Sequence, residues 1–250
     1  MLFLDDISIY SLGVFLGLEL KLWYFALPFT MFALAGFTNA LNLIDGLDGL
    51  AGTISLVILS TFLYIGYINN DNLIVTLCLF SMTSILAFLI FNWNPADIFM
   101  GDSGSLFLGF VISVIAVISL KYIHPISVFY LTALPILDTV VVMVRRIRKR
   151  ISPFSPDKTH IHHILLGFFS KKVKTTVIFL ILLQCLFSIA GLMMANSSNK
   201  LTLGSYSFFA FVAFIFIIAL FYMVLTGMKR RQKLIEKLSN RKKRINSKQK

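Results

Sequence analysis

Residues 39–52 read NALNLIDGLDGLAG. The chain is apolar for some twenty residues before this stretch and apolar again for some twenty after it. Two aspartates, Asp45 and Asp48, and their neighbouring glycines therefore end one apolar run and open the next. A membrane-crossing helix needs about 20 mostly apolar residues. The stretch reads as a tight acidic turn between two spans, and this decides the fold.

The same pattern recurs outward in both directions. Seven candidate spans fall near residues 22–41, 50–68, 73–91, 104–122, 126–144, 175–195 and 205–227. Only 14% of the 250 residues are charged and 58% are hydrophobic, whereas a soluble domain carries about 25% charged residues. A soluble fold is excluded, and the expected class is all-α, a polytopic transmembrane helix bundle. Residues 1–228 form the membrane domain and 229–250 a basic tail. The opening MLFLDD is too short, and too poor in basic residues, for a signal peptide. Cys78 and Cys185 lie inside apolar runs and read as packing residues, not a disulfide.

Basic residues mark the cytoplasmic side of a membrane protein. Of 23 Lys and Arg, nine lie in 145–174 and eleven from 229 onward; Lys21, Lys121 and Lys200 remain. With the tail in the cytoplasm, seven alternating spans put those three outside and the other twenty inside. The Asp45/Asp48 turn, the loop at 92–104 and the loop at 145–174 then share the cytoplasmic face. Asp71 lies outside. Asp5 and Asp6, one span before Asp45, also lie outside and do not join its site.

Three polar segments thus meet on one face. In the first, Asn42, Asp45 and Asp48 are three residues apart, which on a helix is one face. Charged groups at a membrane boundary are functional candidates, although glycine-flanked aspartates also simply end spans. The second, FNWNPADIFMGDSGS, holds Asp102 between Gly101 and Gly104 before a helix. Glycines let backbone N–H groups approach phosphate at a helix N-terminus, and a carboxylate there suits Mg²⁺; helix capping is the competing reading. The third runs from Arg145 and Arg146 through Arg148, Lys149 and Arg150 to Asp157, Lys158, His160, His162 and His163. Cations followed by histidines suit a polyanion such as a diphosphate, whereas Arg148 to Arg150 fit topology alone. Zinc on His-x-His-His is the weaker alternative, with no cysteine nearby. Asp138 stands within the fifth span. At about 2.5–3.5 kcal/mol for insertion, it is expected to face the bundle interior, either supporting the site or making a structural contact. Together these groups suit Mg²⁺-assisted chemistry on a phosphorylated substrate, with a lipid as one reactant.

The segments NALNLIDGLDGLAG, FMGDSGSLFLGF and SPFSPDKTHIHH resemble the signatures of the polyprenyl-phosphate N-acetylhexosamine-1-phosphate transferases. The run from HPIS to the histidines is similar to the subgroup acting on GlcNAc-1-phosphate. The likeness extends from about Ser11 to the tail, in three ordered motifs. It implies transfer of GlcNAc-1-phosphate from UDP-GlcNAc to undecaprenyl phosphate in the bacterial inner membrane, with Mg²⁺ as cofactor. It implies Asp102 as metal ligand, and Asp45 and Asp48 beside it in the catalytic and nucleotide-sugar site with Asn42. His160, His162 and His163 would meet the donor phosphates, with Arg145 or Arg146 nearby.

The resemblance also implies about eleven spans and an acidic pair two spans before NLIDGLDG. Seven spans here imply that the first four are missing together with that pair, so the chain alone is expected to be inactive or nearly so. Phospho-MurNAc-pentapeptide transferase ranks lower because its histidine motif is arranged differently. A transporter of an anionic solute would place polar groups at the midplane with discontinuous helices. A non-catalytic remnant is a third reading. The tail fits an anchor near anionic lipid rather than nucleic acid, and the pattern leaves room for a homo-oligomer.

Overall fold

The structure, a computed structural model, describes residues 8–150, 152, 160–195 and 200–248, with backbone alone for 200–205 and 232–248. Asp5, Asp6, Asp157 and Lys158 lie outside the described residues. The chain is an all-α polytopic membrane protein with one small hairpin. Strands β1 (Ser11–Phe15) and β2 (Leu18–Lys21) pair antiparallel. Between them Leu16 and Gly17 both have positive φ, 50° and 84°, as a two-residue type I′ turn requires.

Among the described residues, six helices are long and apolar enough to cross a membrane, and a bent pair, counted as one span, brings the number to seven. They are α1 (Ala26–Ile44), α2 (Leu50–Ile68), α3 (Asn72–Asn92), α4 (Gly101–Ser119), the pair α5 (Pro125–Leu131) and α6 (Ala133–Arg148), α8 (Val173–Ala195) and α9 (Lys200–Lys248). The short α7 (Ile161–Phe168) carries two of the three histidines. The boundary expected at 228/229 falls inside α9, which runs unbroken across it.

α2 and α4 form the centre. About half of each is buried, against 17% for α3. Ile54, Ile58, Leu59, Phe62, Ile112 and Ile115 are fully enclosed there. α1 packs on α4 and on α6, and α8 packs on α2 and on α5. Cys78 and Cys185 are free thiols.

The fifth span is not the continuous helix that its hydropathy predicts. It bends by 86° between α5 and α6. Pro135 supplies the cause. It has no N–H for the carbonyl of Leu131, and its ring crowds that carbonyl, so a helix cannot run through.

The two ends of the bundle are distinct. At one end Asp71 caps α3, accepting from the backbone N–H groups of Leu73 and Ile74. Tyr122 donates to Asp71 at 2.9 Å and Lys121 pairs with it at 3.7 Å. That end also holds the hairpin, against His124. Asp45, Asp48, Asp102, Arg145 and the histidines lie at the other.

Candidate active site

The acidic turn begins where α1 ends. Asp45 is its C-terminal flanking residue, with φ −74° and ψ 61°, and Gly49 takes φ 75°. The helix therefore stops before Asp45, and the shared helical face expected of Asn42, Asp45 and Asp48 does not form. The three separate. Asn42, still on α1, donates from Nδ2 to Asp102 Oδ1 at 3.1 Å and to Ser105 Oγ at 2.9 Å. Asp48 turns to the second segment, where Oδ2 accepts from Asn94 Nδ2 at 2.8 Å and Ala96 N–H at 3.3 Å.

Asn92 and Asn94 carry no sequence signal beyond polarity, yet they join the two loops. Asn92 is 4% exposed. Its Oδ1 accepts from Gly49 N–H at 3.0 Å and its Nδ2 donates to the carbonyl of Ile98 at 2.8 Å. Both amide ends are used, so the acidic turn and the loop before Asp102 are held in one register.

Asp102 sits in the first turn of α4 without capping it, since Met100 flanks the helix with no side-chain cap. A carboxylate in a first turn interacts favourably with the helix dipole. The side chain is exposed. Asp45 is half-buried. Burial, and then the Asp102 carboxylate, push the Asp45 carboxyl up to about 6.

That shift gives a stability prediction. The folded value lies above the ordinary 3.8, so the folded chain holds this proton more tightly than the unfolded chain does. The resulting stability is full below about pH 4 and is lost as the pH rises through about 6. Without divalent cation, the melting temperature in detergent falls across this window more for wild type than for Asp45→Asn. An identical pH profile in the two proteins would count against it.

Among the described residues, no three His, Cys, Asp or Glu side chains converge on a closed metal cage. Asp45 and Asp102 nonetheless repel each other, and a divalent cation relieves that repulsion. Two carboxylates near solvent fit Mg²⁺, which keeps several waters and takes one or two carboxylates plus substrate phosphates.

The histidine segment arrives through Asp138. This aspartate is fully buried on α6. Its Oδ1 accepts the Ile161 N–H at 2.7 Å and its Oδ2 accepts from His160 Nδ1 at 2.9 Å. It anchors the first turn of α7. His160 and His162 stack with an interplanar angle of 10°, and both are buried, while His163 is exposed. Burial pushes the His162 imidazole down to about 4; Asp138 opposes this, and His163 and His160 add to it. At neutral pH the ring is uncharged. Neither of its nitrogens has a hydrogen-bond partner among the described residues.

Gly46 closes the arrangement. A Cβ there would overlap Nε2 of His162 and come to 2.7 Å from its Cε1. The acidic turn and His162 are thus in direct apposition, which only glycine permits. Arg145 and Arg146 lie in the last turn of α6 and are 4% and 7% exposed. Arg148 stacks on Tyr222 of α9, 4.8 Å from the ring centroid. The site therefore joins three segments far apart in sequence: Asn42 to Asp102, Asp48 to Asn94, and Gly46 to His162.

The profile of glycosyl transferase family 4 matches residues 1–120. That stretch contains both acidic loops. A probable undecaprenyl-phosphate N-acetylglucosaminyl 1-phosphate transferase of Bacillus subtilis (strain 168) is 39% identical over 209 residues, 82% of this chain and 56% of that protein. In these residues the chain is similar to glycosyl transferase family 4. Two further relatives extend the picture. The undecaprenyl-phosphate alpha-N-acetylglucosaminyl 1-phosphate transferase of Escherichia coli (strain K12) is 34% identical over 183 residues, 69% of this chain and 50% of that one. The protein of that name from Yersinia pestis is 32% identical over 164 residues, covering 62% and 45%. The chain thus spans about half the length of the curated relatives it matches.

Proposed function

We propose that the chain carries the donor side of a GlcNAc-1-phosphate transferase. The reaction is transfer from UDP-GlcNAc to undecaprenyl phosphate at the cytoplasmic face of the bacterial inner membrane. An oxygen of the lipid phosphate bonds to the phosphorus of GlcNAc-1-phosphate, and the bond from that phosphorus to the bridging oxygen breaks. UMP leaves, and undecaprenyl-diphospho-GlcNAc starts a lipid-linked surface polysaccharide such as O-antigen or enterobacterial common antigen.

The observation that carries this reading is the apposition of the Asp45–Asp102 pair and His162 at one end of an apolar bundle. Asp102, with Asp45 beside it, would hold Mg²⁺. That cation, when bound, supplies positive charge against the diphosphate. Asn42 fixes the orientation of the Asp102 carboxylate. His162, being neutral, offers one N–H to a phosphate oxygen, and Arg145 and Arg146 add charge to the same region. Asp138 holds His160 by Nδ1, which leaves Nε2 for contact beyond the pair.

A transporter remains a less economical account. Its discontinuous helices would offer their broken backbone to a solute; the break here is already filled by Gln184, as described below.

Donor binding tests the proposal. The chain in lipid nanodiscs is titrated with UDP-GlcNAc, with and without Mg²⁺. We expect saturable, Mg²⁺-dependent binding that weakens by about tenfold or more in Asp102→Asn, the loss of one charge-assisted contact. Binding indifferent to both Mg²⁺ and Asp102 overturns the assignment. Because the chain spans only about half the length of the relatives that bear this name, the 250-residue chain alone is expected to bind donor without transferring it. Labelled GlcNAc-phosphate appearing on undecaprenyl phosphate with this chain alone would sink that last point.

A further inference from the structure

The break between α5 and α6 leaves two backbone groups without helical partners. Pro135 cannot bond to the carbonyl of Leu131, and the N–H of Leu134 has lost its acceptor one turn back. In a hydrocarbon setting each such group costs several kcal/mol unless something else satisfies it. Gln184 of α8, fully buried, does so. Its Nε2 donates to the Leu131 carbonyl at 2.7 Å, and its Oε1 accepts from Leu134 N–H at 3.0 Å. Only one orientation of the amide makes both bonds.

The face of α8 around Gln184 is built to the same end. Ser188, one turn on, hydrogen-bonds Nε2 of Gln184 at 3.2 Å. Gly191, one further turn on, lets α8 approach the break closely. A Cβ there would stand 2.8 Å from Leu131 Cδ2 and 3.1 Å from the Leu131 backbone nitrogen. Residues 184, 188 and 191 follow the i, i+4, i+7 spacing of one helix face. The break is therefore a docked joint.

We propose that Gln184 is a positioning residue. By clamping the bend it sets the direction of α6, and α6 carries Asp138, Arg145 and Arg146 to the site. Asp138 in turn holds His160 and the start of α7, so the apposition of His162 and Gly46 depends on an amide in a different helix. The inference deepens the transferase reading, but its structural half does not need that reading.

The test measures α6 directly. Cys78 and Cys185 are replaced by Ala. Spin labels go on Met31 of α1 and Ile147 of α6, which are 63% and 58% exposed, with Met31 and Leu79 of α3 as a reference pair. In Gln184→Leu, the 31–147 distance shifts or broadens by roughly 10 Å, since α6 is about 20 Å long at 1.5 Å per residue. The 31–79 distance holds. The dissociation constant for UDP-GlcNAc rises by roughly tenfold or more as the histidines lose their placement. Gln184→Glu, protonated at this depth, offers one acceptor and one donor and restores both readouts.

If Gln184→Leu does not fold, the double variant Gln184→Leu/Pro135→Ala decides. It returns an N–H to residue 135 for the Leu131 carbonyl, so the helix can straighten, and the 31–147 distance moves. An unchanged 31–147 distance in whichever leucine variant folds overturns the proposal. If neither folds, Gln184→Glu decides alone: a wild-type distance supports the clamp, and a shifted one overturns it. Failure of the wild-type chain to bind UDP-GlcNAc removes the transferase reading and leaves the distance result standing.

Discussion

Gly46→Ala separates the acidic turn from the histidine segment. The added methyl would occupy the space of the His162 imidazole. That ring is 2% exposed and cannot swing into solvent. Either the turn or the start of α7 must shift, and an overpacked contact of this kind costs about 1–3 kcal/mol. The effect on binding is of similar size. A displacement of about 1 Å in a positioned group costs on the order of a hundredfold, and the affinity for UDP-GlcNAc falls accordingly. Pairing the change with His162→Ala separates the two effects. The double variant regains thermal stability, because the clash is gone, but not affinity, because the imidazole is gone. Wild-type affinity in Gly46→Ala would show that the apposition has no part in donor binding.

Asp138→Ala has the second large effect. It leaves the Ile161 N–H and the His160 Nδ1 facing each other with no acceptor, deep in the bundle. Each buried donor left without its acceptor costs about 1–3 kcal/mol. Unfolding in mixed detergent should register that loss, and a change under about 1 kcal/mol would contradict the role assigned here. Asp138→Asn asks a finer question. Its Oδ1 still accepts from Ile161, but its Nδ2 can only donate. His160 must then accept at Nδ1 and move its proton to Nε2. The fold survives while the ring reverses its tautomer. Nitrogen-15 NMR of the His160 ring reports that directly, and an unchanged tautomer would mean that Asp138 does not set it.

The helices were legible because lipid-crossing segments must be apolar over their whole length. The charge pattern then placed all three polar segments at one end, where hydrogen bonds and the Gly46–His162 contact join them. What periodicity missed lies where the backbone departs from its regular course. The LG turn at Leu16 and Gly17 makes a hairpin of a stretch that hydropathy leaves unassigned ahead of the first span. Pro135 was visible in the sequence, but its consequence depends on whether another helix supplies replacement bonds, and Gln184 is 50 residues away from Leu134.

The site shows the same division. Residue types singled out Asp45, Asp102 and the histidines, which the structure brings to one end of the bundle. The spacing argument for one helical face failed, because the helix ends at Ile44 and Asp45 has already left helical geometry. Asn92 stayed hidden, since an asparagine near a loop looks ordinary until both ends of its amide are seen to be used. For Asp138 the sequence indicated an interior position but no partner. Its actual partners are 22 and 23 residues away, at the start of another helix.

The joint between α5 and α6 also fixes an order of events during synthesis. Leu134 leaves the ribosome 50 residues ahead of Gln184. At about 5–20 residues per second the interval is about 2.5–10 s. Throughout it, the broken helix has two unmatched backbone groups and an aspartate that hydrocarbon disfavours. The half-made protein must wait, near water or under the guard of the insertion machinery, for α8 to emerge. For this crossing, insertion ends with the arrival of a later helix.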